Sequence, residues 1–252
     1  MDRFKNAHDS HAHSLETLNL LYEYDDFMSN LKTIVDLGCG AGLDSKWWAS
    51  LSDREEPPEP HNYKVYAIDT NIKQIEPSIL EENPNIIPIE SNFEYHHLTE
   101  KADFLWCHDA FQYAVKPLQT LANWNNMLNL NGMMVITIPQ LQSYQYNRIV
   151  TRSISGCYYN HNVVSLMYML AVSGFDCRDC FFIKNENSPW ISAAVYKSQI
   201  ADMDPAKTSW HDLGDKGLIS DSAIASLSKH GYVRQEDLIT RWLDKDFYLV
   251  RD

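Results

Sequence analysis

The 252-residue sequence contains no uninterrupted apolar stretch long enough to cross a bilayer. A membrane-spanning helix needs about 20 such residues, so no transmembrane segment is expected. The amino-terminal stretch MDRFKNAHDSHAHSLETL is polar and lacks the apolar centre of a secretory signal peptide. Cysteine is also sparse, with five residues, an odd number. These absences favour reduced thiols and predict a cytoplasmic protein.

The sequence also lacks the spacing of cysteine and histidine residues that is typical of a metal site. Cys177 and Cys180 form one C-x-x-C without a second pair, and FDCRDCFFI reads as an extended strand, so we expect a structural role for both. His8, His11 and His13 are dense enough for a metal site or a lid, but flexible polar termini often contain histidine. We therefore expect no metal ion.

Basic residues are fewer than acidic ones in this sequence. The chain has 21 Lys and Arg against 34 Asp and Glu, a formal net charge of -13, and its cations are scattered. A negative surface without a basic patch repels a phosphate backbone. RNA and DNA are therefore disfavoured as substrates.

Strand and helix patterns alternate through most of the chain. The expected strands are TIVDLG, YKVYAID, NIIPIESN, ADFLWCHD and MMVITIP, closed by the pair FDCRDCFFIKN and WISAAVYKS. This order predicts an α/β fold with a Rossmann-like, doubly wound, seven-stranded sheet, mostly parallel with an antiparallel final strand and helices on both faces. Pro88 predicts either an edge position for the third strand or the end of that strand. The helix PLQTLANWNNMLNL is expected to stop at Asn131 and Gly132.

Three segments follow from this pattern. Residues 1–30 form an N-terminal helical cap, whose helix we expect over residues 14–31, residues 31–198 form the α/β domain, and residues 199–252 form a small helical extension. In the extension, SDSAIASLSKHG and RQEDLITRWLDKD predict two short helices, and FYLV a strand or tail. Its role stays open between covering the sheet, completing a pocket and forming a homodimer contact.

The most informative stretch is TIVDLGCGAGLDSKWW, residues 33–48, which places Gly38, Gly40 and Gly42 between a strand and a helix. Such loops offer backbone N–H groups and a helix N-terminus to a ligand. The dinucleotide fingerprint G-x-G-x-x-G would require glycine where the chain has Leu43. A carboxylate at Asp36 also suits an ammonium group better than a pyrophosphate. An NAD(P)-dependent reductase is therefore the weaker interpretation.

Asp69 ends the second expected strand, where a carboxylate can accept hydrogen bonds from both ribose hydroxyls. It lies further beyond the loop than the usual spacing of about 20 residues, because an acidic, proline-rich stretch at 52–62 intervenes. Capping the next helix is the alternative role. In combination with the glycine loop, ribose binding is favoured.

The stretches VDLGCGAG, YAIDTN, ESNF, FLWCHDAF and LNLNGMMVITIP, in this order, resemble the class I S-adenosylmethionine-dependent methyltransferases over residues 31–198, most of all the small-molecule members of the methyltransferase 11/23 type. The resemblance implies S-adenosyl-L-methionine as cofactor. It implies that Asp36 and the backbone of Gly38, Cys39 and Gly40 hold its methionine end. The further contacts it implies are Asp69, Thr70 and Asn71 at the ribose, Asn92 and Phe93 at the adenine, and Trp106, Cys107 and His108 near the sulfonium.

Two departures from the family pattern are visible. Asn92 stands where the family usually has an aspartate, although an amide oxygen can accept the same hydrogen bond from the adenine amino group. Asn131 and Gly132 replace the usual Pro-Gly-Gly turn, which is a structural variation. The cofactor assignment is retained.

The candidate catalytic residues are His108 and Asp109, which follow the fourth strand at the edge of the sheet where ligands of α/β folds bind. Methyl transfer is an in-line displacement that depends on positioning, and an oxygen or nitrogen nucleophile can also need a base. A histidine can take that proton near neutral pH. The alternative is that His108 only hydrogen-bonds the cofactor or a neighbouring backbone group.

Aromatic residues beyond the fourth strand are expected to form the substrate wall, with ordinary packing as the alternative. They are Tyr113, Tyr144, Tyr146, Tyr158, Tyr159 and Trp190. The expected acceptor is a small molecule with an oxygen, nitrogen or carbon nucleophile. A protein or RNA methyltransferase and a non-catalytic cofactor-binding protein remain alternatives, although CHDAF stands where an N/D-P-P-Y/F motif would indicate methylation of a nucleobase or glutamine.

Overall fold

The computed structural model describes residues 3–22, 31–51, 63–139, 159, 161–180 and 190–239. The strands within these ranges are β1 (Thr33–Leu37), β2 (Lys64–Asp69), β3 (Ile86–Glu90), β4 (Ala102–His108), β5 (Leu128–Pro139), β6 (Phe175–Asp176) and β7 (Trp190–Lys197). They form one sheet in the order β3-β2-β1-β4-β5-β7-β6. Strands β1 to β5 pair in parallel, whereas β7 runs antiparallel to both of its neighbours. The predicted fold class is confirmed.

Helices cover both faces of this sheet. They are α1 (Arg3–Tyr22), α2 (Leu43–Ala49), α3 (Pro77–Glu82), α4 (Pro117–Met127), α5 (Val163–Val172), α6 (Trp210–Asp215) and α7 (Asp221–His230), with short 3₁₀ turns at Ile72–Gln74, Phe111–Tyr113 and Gln235–Asp237. Because side chains alternate along a strand, each strand contributes to two apolar layers. Phe104 and Trp106 of β4 pack in the layer with α1 to α3, and Leu105 and Cys107 in the layer with α4 to α7. None of the helices in the described part of the chain is long and apolar enough to span a membrane.

The edge position of β3 agrees with the expectation from Pro88. The Val65 N–H donates to the Asn85 carbonyl at 3.0 Å, and the Ser91 N–H to the Asp69 carbonyl at 2.9 Å. The odd-numbered residues of β3 therefore pair with β2. The Pro88 nitrogen faces outward, where its missing N–H costs no ladder hydrogen bond.

The end of α4 differs from the prediction. The helix ends at Met127, and Leu128 is already extended and paired with Ala102 of β4. The pairing then shifts register, so that Phe104 lies opposite Met133. Asn131, at φ 65°, belongs to the extra residues that this shift inserts into β5. The Asn-Gly pair therefore marks a bulge in a strand rather than the end of a helix.

The strand expected across FDCRDCFFIKN differs from the prediction over residues 177–180, and residues 181–185 lie outside the described part of the chain. Strand β6 ends at Asp176, after which Cys177 forms a single bridge with Ile219. The Asp176 carboxylate accepts the Arg178 backbone N–H at 3.0 Å and binds the Arg178 guanidinium at 2.6 Å, so the chain turns here. Both Cys177 and Cys180 are buried free thiols.

The terminal segments extend the two apolar layers. Helix α1 begins at Arg3, well before the expected start at residue 14, and buries Leu18 and Leu21 beside α2. Helix α6 was not predicted, whereas α7 agrees with SDSAIASLSKHG, and Leu213 and Leu227 join the layer of α4 and α5. Of the second predicted C-terminal helix, the described residues contain only the turn Gln235–Asp237, and FYLV lies outside them. The segment boundaries at 30 and 198 stay a prediction.

Candidate active site

The glycine loop between β1 and α2 depends on left-handed backbone at Gly38, Gly40 and Gly42, with φ of 78°, 52° and 77°. A Cβ at Gly38 would lie 2.4 Å from the Cβ of Ala110, and one at Gly42 would lie 3.0 Å from Ile75. A Cβ at Gly40 would meet no neighbouring atom within 4 Å. Two of the glycines therefore allow the loop to pack on the protein, and the third borders open space.

Hydrogen bonds fasten this loop to the end of β2. The N–H groups of Gly38 and Cys39 both donate to the Ile68 carbonyl, at 2.8 and 3.1 Å. The Gly40 N–H donates to Oδ2 of Asp69 at 3.0 Å. These three N–H groups therefore already have acceptors in the protein, and the loop is held in shape by them.

A cavity of about 210 Å³ lies beside the loop, at the carboxyl ends of β1 and β4. It is lined by loop residues 38–41 and Leu43, and by five titratable side chains besides Cys39, which are His11, Asp36, Asp44, His108 and Asp109. Among these described lining residues there is no lysine or arginine. Three carboxyl groups against two imidazoles make the cavity one that favours a cation.

Asp36, at the end of β1, is the most perturbed of these carboxyl groups. It is buried, and Ser45 Oγ donates to its Oδ2 at 2.6 Å. Burial, then the charges of Asp44 and Asp69, raises the pKa of Asp36 from 3.8 to about 8 against the opposing effect of the Ser45 hydrogen bond. A nearby cation would favour the ionised form. Burial also raises the pKa of the neighbouring Cys39 thiol well above its usual range, which disfavours a thiolate nucleophile.

Asp44, in the first turn of α2, connects three elements at the cavity wall. Its Oδ1 binds His11 Nδ1 and accepts Ser14 Oγ at 2.7 Å, both from α1, and its Oδ2 accepts Trp106 Nε1 from β4 at 2.8 Å. Helix α1 is thereby fixed against α2 and the sheet. Of the three N-terminal histidines only His11 has a described side chain. Ser14 and Asp44 were missed from the sequence, since a lone serine and an aspartate in a first helical turn have no distinctive spacing.

His108 ends β4 and is buried between two tryptophans. Its ring stacks on Trp106 with centroids 6.1 Å apart and an interplanar angle of 11°, and it lies 5.4 Å from the tilted ring of Trp190. The strand register places His108 beside Thr137, which is opposite Ser192, and these two buried hydroxyls lie 2.9 Å apart. These residues form an aromatic wall with a short row of polar groups, and His108 is the member of it that lines the cavity.

Asp109 follows directly in a left-handed conformation, with φ 54°. Its backbone N–H donates to the Thr137 carbonyl at 2.9 Å, and Gln112 Nε2 donates to its Oδ1 at 2.6 Å. Burial raises the pKa of Asp109 from 3.8 to about 6, partly offset by the Gln112 hydrogen bond. A strained residue with a carboxyl group that titrates near neutrality is the type of group that active sites use for proton transfer.

At the end of β2, Asp69 holds local backbone with both carboxylate oxygens. Besides Gly40, it accepts the Asn71 N–H at 3.0 Å and the Thr70 hydroxyl at 3.4 Å. The residue at the cap position of the turn Ile72–Gln74 is Asn71 rather than Asp69. The helix-cap alternative for Asp69 is therefore not what the structure contains.

The segment after β3 carries the residues expected at the adenine. Asn92 Oδ1 accepts the Glu94 N–H at 2.8 Å, and the Phe93 ring packs 5.9 Å from Trp124. Glu94 itself was missed from the sequence. Its buried carboxylate accepts the backbone N–H groups of Val115 and Lys116 at 2.8 and 3.1 Å, which ties this segment to the start of α4.

The expected substrate-wall residues that the structure describes are not among those that line the cavity. Trp190 lies against His108, which does line it. Tyr113 is 37% exposed and Tyr159 is 45% exposed, and the Tyr159 hydroxyl donates to the Val115 carbonyl at 3.2 Å. Tyr144, Tyr146 and Tyr158 lie outside the described residues.

Comparison with known proteins gives a consistent result. Residues 35–136 match a family model described as a methyltransferase domain, whereas no curated protein sequence matches the chain. A solved O-methyltransferase family protein from Burkholderia thailandensis has 12% identity and a TM-score of 0.59 over 78% of this chain and 59% of its own. The N-methyltransferase NodS from Bradyrhizobium japonicum WM9 has 12% identity and a TM-score of 0.51 over 75% of this chain and 96% of its own.

Magnesium protoporphyrin IX methyltransferase from Synechocystis PCC 6803, solved with bound S-adenosylhomocysteine (SAH), has 14% identity and a TM-score of 0.55 over 77% of this chain and 86% of its own. At such identities the likeness concerns the fold. The chain spans 59% of the length of the Burkholderia protein, which is less than two thirds.

Proposed function

We propose that the chain, whose residues 35–136 match a methyltransferase domain and whose sheet has a Rossmann-like strand order, is an S-adenosyl-L-methionine-dependent methyltransferase that acts on a small molecule. The observation that carries the proposal is the acidic cavity beside the glycine loop. Its three carboxyl groups and absence of lysine or arginine among the described lining residues suit a ligand with two positive charges. The cofactor has these in its ammonium and sulfonium groups.

The residues present fit this cofactor. When bound, it supplies an electrophilic methyl group on sulfur. Asp36 offers a buried carboxylate to the ammonium group, and the ring of His108, which lines the cavity, offers an aromatic face to a cation. We assign the remaining contacts to the backbone carbonyl groups of Gly38, Cys39 and Gly40, to Asp69, Thr70 and Asn71 at the ribose, to Asn92 and Phe93 at the adenine, and to Cys107 beside His108.

We assign the acceptor to the side of the cavity formed by His108, against which Trp190 packs. Asp109 is the better base of the two candidates, because its carboxyl group titrates near 6 and is held by Gln112 within the cavity lining. It takes the proton that an O–H or N–H acceptor loses, and His108 positions the acceptor atom. The aromatic wall suits an aromatic or amphipathic metabolite, and Tyr113, Tyr144, Tyr146, Tyr158 and Tyr159 are retained as proposed substrate contacts.

Transfer of a radiolabelled methyl group tests this function. The purified protein would be incubated with labelled cofactor and a panel of phenolic, amine and activated-carbon acceptors, with bulk RNA and an unrelated protein as separate arms. We expect label in at least one small molecule and loss of that label with Asp109→Asn. Label confined to RNA or protein would refute the acceptor class, and no label in any arm, together with absent cofactor binding, would refute the enzyme assignment.

A further inference from the structure

The acidic cavity leaves one part of the proposed cofactor without an obvious partner. The amino-acid end carries a carboxylate as well as an ammonium group, and a carboxylate requires hydrogen-bond donors. The N–H groups of Gly38, Cys39 and Gly40 already donate within the protein. Since the described lining contains no lysine or arginine, the two imidazoles, His11 and His108, are its candidate cationic donors.

The two histidines differ in their surroundings. His108 is enclosed by Trp106 and Trp190 at the end of β4, on the side assigned to the acceptor. His11 lies on α1 and is 21% exposed, with its Nδ1 bound to Asp44. Its Nε2 has no hydrogen-bond partner among the residues that the structure describes. A ring whose Nδ1–H donates to a carboxylate can also donate from Nε2 when both nitrogens carry a proton, and a ligand carboxylate placed at Nε2 would favour that form.

From this arrangement we infer that His11 binds the carboxylate of the cofactor's amino-acid end, so that α1 supplies a cofactor-binding residue. The inference rests on the proposed function and adds to it a residue outside the α/β domain predicted from the sequence. The ligand group is an α-carboxylate, recognised by an imidazolium Nε2–H. His11 is a binding residue in this account, and Asp44 positions it.

The ring of His11 is well placed to bind a carboxylate because the residues that hold it are themselves fixed by hydrogen bonds. Ser14 Oγ donates both to the His11 carbonyl, at 2.9 Å, and to Asp44, at 2.7 Å. Asp44 is fixed in turn by Trp106 Nε1 at 2.8 Å. Leu18 and Leu21, further along the same helix, are buried. A donor held in this way binds with little loss of side-chain entropy.

Calorimetric titration with two ligands tests the assignment. One ligand is S-adenosylmethionine, and the other is decarboxylated S-adenosylmethionine, which keeps the adenosine, sulfonium and amino groups but lacks the carboxylate. Wild-type protein, His11→Ala, His11→Gln and the control His211→Ala, at an exposed position on α6, would be titrated with each. Thermal unfolding would be recorded for every variant.

We expect His11→Ala to weaken binding of S-adenosylmethionine by about 10- to 100-fold, the usual effect of losing a hydrogen bond to a charged group. Its affinity for the decarboxylated ligand should stay within about twofold of wild type, and His11→Gln, which keeps a donor, should fall in between. His211→Ala should match wild type with both ligands.

Two results would overturn the inference. One is unchanged binding of S-adenosylmethionine by His11→Ala. The other is an equal loss of affinity for both ligands, which would show that His11 acts through the docking of α1 and not through the carboxylate. If wild-type protein binds neither ligand, the proposed function itself fails. If His11→Ala does not fold, the comparison of the two ligands with His11→Gln decides the question.

Discussion

Replacing Asp36 by asparagine should abolish a proton release that accompanies cofactor binding. The Asp36 carboxyl has a pKa of about 8 in the free protein because it is buried near Asp44 and Asp69. At pH 7 about nine tenths of it is therefore protonated. An ammonium group placed beside it favours the carboxylate, so binding should release close to one proton per ligand at this pH.

The pH dependence of affinity follows from the same values. If only the ionised form binds, the competent fraction rises steeply between pH 6 and pH 7.5, because both values lie below the pKa of Asp36. The affinity for SAH should therefore increase by about an order of magnitude over this range. Asp36→Asn should bind weakly and with little dependence on pH.

Calorimetry in buffers of different ionisation enthalpy measures the released protons directly. Thermal unfolding of the free protein gives an independent check on Asp36. Because the folded state raises its pKa, the folded state binds this proton more tightly, and stability is lost as pH rises from about 4 to about 8. Asp36→Asn should therefore be more stable than wild type at pH 8, by a few kcal/mol, and similar to it at pH 4. Binding at pH 7 without proton release, with no gain in stability from Asp36→Asn, would refute this reasoning.

Three further predictions concern other parts of the site. Asp69→Ala should weaken SAH binding by about tenfold or more in calorimetry, while a large fall in melting temperature with little change in affinity would assign Asp69 to holding the loop through Gly40. Asp109→Asn should lower kcat by about 100-fold or more without changing cofactor affinity. The rate of the wild-type protein should rise with pH around a midpoint near 6, because the base must be ionised. Equal losses of rate and affinity in the variant would contradict a role as base. Gly38→Ala should lower the free energy of unfolding by about 2–5 kcal/mol, since its Cβ would meet Ala110 at 2.4 Å. Gly40→Ala should lower it by only about 1–2 kcal/mol. Equal losses of stability for the two variants in denaturant unfolding would be inconsistent with the packing of the loop.

The sheet was predictable because its strands are read from local patterns. The buried run of β1, the glycine loop after it and the alternation of strands with helices all follow from side-chain period and turn chemistry. Pro88 indicated an edge strand or a strand end, and the hydrogen-bond ladder of β3 bears out the edge strand. In each case the residues that determine the structure are neighbours in sequence.

The errors arose where distant contacts decide the structure. Asn131 and Gly132 have the composition of a helix stop, but pairing with β4 converts the stretch to a bulged strand. Helix α1 begins in a polar stretch that predicts no helix, and it is held against the sheet by Leu18, Leu21 and the contacts to Asp44.

In the candidate site, too, the features set by neighbouring residues were predictable and those set by distant contacts were not. Asp36, the glycine loop and His108 could be selected from sequence because each lies in or next to a strand-end motif. The perturbed pKa of Asp36 and the cluster around Asp44 could not, since they depend on residues brought together from α1, α2 and β4. Glu94 has no motif at all, and its role as a buried acceptor for the start of α4 becomes visible only in three dimensions.

The central claim is that the acidic cavity binds the sulfonium cofactor of methyl transfer. Calorimetric titration of the wild-type protein with SAH and, separately, with NADH tests it most directly. The account predicts saturable binding of SAH with one site per chain and no heat of binding with NADH. Heat with NADH and none with SAH would contradict it.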